Sequence, residues 1–81
     1  MKSVFPSKKK LVGCTVPVGN NYTVMVQDVG DEYDCYIRQN IDGRSTPFLF
    51  MFGCLKSNTS YREAIQLAIA NVPEYLDLFE E

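Results

Sequence analysis

The sequence has no histidine, so it lacks both the usual general base at neutral pH and the commonest metal ligand. Cysteine is scarce and odd in number: Cys14, Cys35 and Cys54 stand far apart with no close pairing motif. A disulfide framework is therefore not expected, and neither is a zinc site, which needs about four ligands at characteristic spacings. A nucleophilic cysteine needs an adjacent base or a strongly positive setting, and none is in view. Also missing are a glycine-rich phosphate loop and a Walker sequence. No apolar run approaches the roughly 18 residues of a membrane span. Nor is there an excess of positive charge. Eight basic against ten acidic side chains give a net charge of −2, the wrong balance for a dedicated nucleic-acid binder. The expectation is a protein that is not an enzyme, carries no cofactor and does not enter a membrane.

What is present is a chain of 81 residues, 46% hydrophobic. That is too apolar for a disordered chain and long enough for one small domain, 1–81. At this size folding buries only about 60–65% of the chain's surface, so the core must be small. Residues Met1 to Lys10 carry charge but no apolar stretch of the kind a secretory signal needs, and a reducing cytoplasm is the expected location. Residues 1–9 read as a flexible lead-in, and Lys8-Lys9-Lys10 as a solvated approach to the first strand.

Three turn signals, Gly19-Asn20-Asn21, Gly30-Asp31 and Asp42-Gly43, separate four stretches rich in β-branched and aromatic residues. Asp-Gly is the signature of a two-residue type I′ turn, which needs positive φ at both positions. If strand pairing runs on from that turn, Ile37 lies opposite Phe48, Cys35 opposite Phe50 and Tyr33 opposite Phe52. A two-residue Gly30-Asp31 loop pairs Val24 with Ile37 and Val26 with Cys35. A three-residue first loop, with Asn21 in the left-handed conformation, pairs Val16 with Val24 and Cys14 with Val26. The rows Val16-Val24-Ile37-Phe48 and Cys14-Val26-Cys35-Phe50 then share one face. Pro17 and Pro47 fall on the outer strands, where a missing N–H is tolerated.

After Cys54 the period changes. Ser60 and Glu63 form a capping-box signature. Beyond them Tyr61, Ala64, Ile65, Ala68, Ile69 and Val72 make an apolar helical stripe. Pro73 is expected to end or kink this helix near Asn71, with a second short turn through Leu78 and Phe79. The predicted fold is α+β: a four-stranded antiparallel meander with a C-terminal helix packed on one face.

The other face carries the functional signal. The same registers place Thr15, Met25, Tyr36 and Leu49 in one row, with Met51 beside Leu49 and Arg38 at the rim. A sheet covered on one side should be polar on the other, and contiguous apolar patches mark contact sites. Methionine, tyrosine and arginine are typical of such interfaces. The candidate protein-binding residues are thus Met25, Tyr36, Arg38, Leu49 and Met51, joined by the acidic turn residues Asp31, Glu32 and Asp34, which would attract a basic partner. The competing reading is that Val4, Phe5 and Pro6 fold back and cover this face. The expected function is non-catalytic protein binding, as a small inhibitor or adaptor, with a homodimer as one form of partner. A phage or mobile-element inhibitor of a host defence nuclease, imitating nucleic-acid charge, is an alternative. A weak nucleic-acid binder is another; it would need Lys8-Lys9-Lys10, Arg38, Arg44 and Lys56 on one surface.

One set of residues carries a resemblance. Tyr22-Thr23-Val24, the Gly30-Asp31 turn, the Gly53-Cys54 pair and Ser60-Tyr61-Arg62-Glu63-Ala64 followed by Ala68 occur in this order and spacing. In this the stretch from Tyr22 to Tyr75 resembles the N-terminal domain of HicB-type antitoxins. The resemblance implies a protein that neutralises a small basic ribonuclease toxin. The chain departs from that pattern in the added hairpin from Asn40 to Pro47, in Phe52 where the family has proline, and in the absence of a following DNA-binding module. Under the resemblance, autoregulation by DNA binding would have to be supplied elsewhere.

Overall fold

The computed structural model describes residues 12–79. The segment Val4-Phe5-Pro6 and the tract Lys8-Lys9-Lys10 lie outside them. The elements follow in the order β1 (Val12–Val18), β2 (Tyr22–Asp28), β3 (Glu32–Ile41), β4 (Arg44–Ser45), β5 (Leu49–Leu55) and α1 (Tyr61–Tyr75), then a 3-10 turn (Leu76–Phe79). The sheet is antiparallel throughout, and β4 and β5 both pair with β3. One helix packs on it, giving the expected α+β architecture. Among the described residues no helix is long and apolar enough to cross a membrane.

The first three strands keep the phase set by their turns. Cys14 lies opposite Val26 and Val16 opposite Val24, while Val24 meets Ile37 and Val26 meets Cys35. The positive φ of the first loop belongs to Gly19, at +66°, rather than to Asn21. Glycine reaches that region without the steric penalty asparagine would meet. Asp42 and Gly43 do adopt positive φ, 53° and 76°, as a type I′ turn requires.

Beyond that turn the expected fourth strand is broken into β4 and β5, and its register slips twice. Pairing begins as expected, Ile41 with Arg44 and Asn40 with Ser45. Pro47 then interrupts the ladder, lying between the strands instead of within one. The Thr46 hydroxyl takes over as acceptor for the Gln39 N–H at 3.0 Å, while the Thr46 N–H donates to the Gln39 carbonyl. After the break Ile37 faces Leu49 instead of Phe48. A β-bulge follows: Tyr36 faces Phe50 but Cys35 faces Phe52, so Met51 is the extra residue. The bulge brings both Met51 and Phe52 to the helix side, which strict alternation forbids. Phe50 consequently faces the other way, 54% exposed, and the expected Cys35-Phe50 pair does not form.

The helix has the expected capping box: the Ser60 hydroxyl accepts from the Glu63 N–H and the Glu63 carboxylate from the Ser60 N–H. Ala64, Ala68 and Val72 press onto Val24, Val26, Cys35 and Ile37, together with Met51 and Cys54. Small alanines let the helix backbone approach, to the point that the Cys35 thiol reaches the Ala64 carbonyl at 3.8 Å. Ile69 sits at the margin of the stripe, 37% exposed.

Of the two outcomes expected at Pro73, an end near Asn71 does not occur: α1 runs through Pro73 to Tyr75. In the last turn proline removes a single backbone donor. The packing of Val72, Tyr75, Leu76 and Phe79 offsets that loss, with the Phe79 ring 5.9 Å from Tyr22 and the Tyr75 ring 6.5 Å from Phe52. The continuation has a second consequence. It places the Tyr75 hydroxyl 3.2 Å from the Met51 carbonyl, so the helix supplies a donor to the bulged residue.

Tyr75→Phe removes that donor and leaves the ring. It should cost about 1 kcal/mol, read as a lower urea midpoint at unchanged slope.

Burial pushes the Cys35 thiol up to about 12 from an ordinary 9.0, the neighbouring Cys54 thiol adding to it. Between those values the unfolded chain has lost a proton that the folded chain retains, so stability should fall as pH rises. Tyr61 is also raised, from 10.0 to about 12, and acts in the same direction above pH 10. Cys35→Ala should therefore flatten the decline between pH 9 and 10 in urea titrations, leaving the Tyr61 part above it.

Candidate protein-binding face

The residues of β3 alternate about the sheet. Tyr33, Cys35 and Ile37 point to the helix, so Glu32, Asp34, Tyr36, Arg38 and Asn40 point away from it. Register carries the same division to the neighbours: Thr15, Thr23, Met25 and Gln27 join the outer face, as do Phe50, Gly53 and Leu55. The described residues place no element over this face.

Its centre is an apolar row, Thr15-Met25-Tyr36-Phe50, one residue from each of four adjacent strands. Tyr36 and Phe50 stack edge to face with ring centroids 5.6 Å apart, an arrangement that favours aromatic pairs beyond their buried area. Burial raises the Tyr36 hydroxyl pKa, with the nearby Asp34 charge adding. A shallow groove lined by Gly13, Thr15, Met25 and Gln27 runs beside the row. At one end, Asn40 donates to the Thr23 hydroxyl at 2.9 Å and accepts from Ser45 at 2.7 Å. On that side too the Arg38 guanidinium lies 4.5 Å from the centre of the Phe48 ring, a cation–π contact.

The opposite end is acidic. An added Cβ at Gly53 would meet Glu32 Oε2 at 2.9 Å and Asp34 Oδ1 at 3.1 Å, so glycine is what admits the two carboxylates side by side. The Glu32 pKa is raised because its proton is shared with Asp34 and because the Asp34 charge is close. Asp31 is exposed in the adjoining turn. Asp28 belongs to the other side of the sheet, paired with Lys56 at 2.7 Å; that bond and the Gly30 N–H lower its pKa.

Of the residues expected here from sequence, Met25, Tyr36, Arg38, Glu32 and Asp34 do share this surface. Leu49 and Met51 do not. Leu49 packs against the core opposite Ile37, and Met51 is 7% exposed beneath the helix. The double slip in β5 exchanges them for Phe48 and Phe50. The signals were in the chain: Pro47 marks a break in the ladder, and Leu49, Met51, Phe52 and Cys54 cannot all face inward without a bulge. Gly53, which makes room for the acidic pair, had no such signal.

Among the described residues no group of three cysteine, aspartate or glutamate side chains is placed to hold a metal ion. The chemistry this surface offers is apolar contact flanked by fixed charges of opposite sign.

In comparisons with known proteins, no family model, curated protein or solved structure matches the chain.

Because ionised Glu32 and Asp34 repel each other, their pair should lose stability as pH rises through the elevated Glu32 value. Glu32→Gln removes the like charge while retaining a donor. It should raise the urea midpoint at neutral pH and leave it unchanged in acid, where the wild-type carboxyl is already protonated.

Proposed function

We propose that this chain is a non-catalytic protein-binding module, acting as a small inhibitor or adaptor through the sheet face that the described residues leave uncovered. The observation that carries this reading is the row Met25-Tyr36-Phe50, flanked by Arg38 over Phe48 and by the Glu32–Asp34 pair. A sheet face that met only water would gain nothing from two stacked aromatics, one of them 54% exposed. Aromatic and methionine side chains ringed by charge are what protein interfaces use. The acidic end and the net charge of −2 favour a basic target. A small ribonuclease toxin, as the HicB-type resemblance implies, or a nuclease would fit that description.

The test separates face from fold. Tyr36→Asp and Phe50→Asp should each abolish association, followed by sedimentation and by pull-down from the source cells, while circular dichroism and thermal midpoint stay close to wild type. Association that survives both substitutions would refute the site.

A further inference from the structure

Among the described residues only two buried side-chain polar atoms lack a hydrogen-bond partner, Asp34 Oδ1 and Arg38 Nε. Both belong to the face that the described residues leave uncovered. They carry opposite charge and stand on the same strand, two positions either side of Tyr36. Four residues of extended chain separate them by about 13 Å, so they cannot satisfy each other within one molecule. The side chains themselves are only partly buried, so an acidic end, where Glu32 adjoins Asp34, and a basic end at Arg38 both present charge at the surface.

Resting on the reading that this face binds protein, we propose that its partner is a second copy of the same chain. The two sheets would meet face to face about a two-fold axis that lies in the interface, perpendicular to β3 at Tyr36. Such an axis keeps a residue's position across the sheet and reverses its position along the strand. The row Met25-Tyr36-Phe50 of one copy therefore meets the same row of the other. Arg38 falls opposite the second copy's Asp34, and the pairing occurs twice, as an isologous interface demands. A two-fold parallel to β3 would instead set Asp34 against Asp34 and Arg38 against Arg38.

Phe48 lies beside Arg38, and Gly53 pairs with Asp34. Under the same axis Phe48 and Arg38 of one copy fall over the acidic end of the other, where the Glu32 and Asp34 carboxylates fill the space above Gly53. The bulge at Met51 makes this correspondence: it places Gly53, three residues beyond Phe50 in sequence, one outward step from it on the sheet face. The molecule is 19 Å through its thinnest dimension, a single sheet with its helix on one side. A second sheet, about 10 Å away as packed sheets are, would complete a helix–sheet–sheet–helix sandwich. The face spans only four short strands, so the dimer should be reversible. Asp31 stays exposed at its rim, where a basic target could still be met.

Sedimentation equilibrium over a concentration series decides the matter. Wild type should show a reversible monomer–dimer equilibrium, weakened by salt. Asp34→Arg and Arg38→Asp should each be folded by circular dichroism and monomeric, since each sets like charges against each other. Their equimolar mixture should recover the dimer, and so should the double variant D34R/R38D. A wild type that remains monomeric, single variants that dimerise unchanged, or folded single variants that fail to associate when mixed would each overturn the proposal. The underlying reading fails separately: a monomeric wild type that still loses a different protein partner on Tyr36→Asp leaves the binding face standing and removes only the second copy.

Discussion

The alternation of side chains along β3 is the constraint on which the rest of the molecule depends. Cys35 and Ile37 are fully buried beneath the helix, and a strand that sends them inward must send Asp34, Tyr36 and Arg38 outward. Sliding β3 by one residue would put two charged side chains into a core made of valine, isoleucine, cysteine and alanine. The core thus fixes the outer face as rigidly as it fixes itself. The same backbone that buries Ile37 presents Tyr36, and the pattern acid–aromatic–base follows without further choice.

Much of this was legible in the sequence because turns set strand phase, and the turns are written in glycine, asparagine and aspartate. The registers of β1, β2 and β3 follow from counting outward from Gly30-Asp31 and Gly19-Asn20-Asn21. The Ser60–Glu63 cap likewise fixes the start of α1. Counting fails where a ladder is interrupted. From Asp42-Gly43 the register is right for two pairs and then wrong, because Pro47 cannot donate and Thr46 offers its hydroxyl in place of a carbonyl. The bulge at Met51 depends on the distant side chain of Tyr75 as well as on its own strand, and local pattern does not carry such information. Pro73 shows the converse. Its local preference to end the helix is overridden by the packing of Val72, Tyr75 and Phe79.

The site was half legible for the same reason. Met25, Tyr36 and Arg38 lie on strands whose phase the turns determine. Leu49 and Met51 lie beyond the break, and two slips carry them to the core side while Phe48 and Phe50 take the outer positions. The outer face kept its apolar character through this exchange because β5 is apolar at nearly every position, so either phase exposes something greasy. That uniformity makes the strand's register ambiguous to a reader of sequence. It also means that the identity of the contact residues rests on the bulge, not on composition.

A strand apolar on both sides is ordinarily found where both faces of a sheet are covered. β5 has that character, yet only one of its faces meets the helix. Its outward Phe50 and Leu55 are more than half exposed, and the neighbouring Asp34 and Arg38 present opposite charges on either side of Tyr36. Hydrophobic excess and divided charge therefore occur on one surface, and a single event answers both. An apolar layer laid on Tyr36 and Phe50 removes their exposed area from water, and it suits both ends only if it brings a base to the acid and an acid to the base. A basic target answers the acidic end alone. A surface bearing both charges about an apolar centre meets the requirement, and this chain carries one.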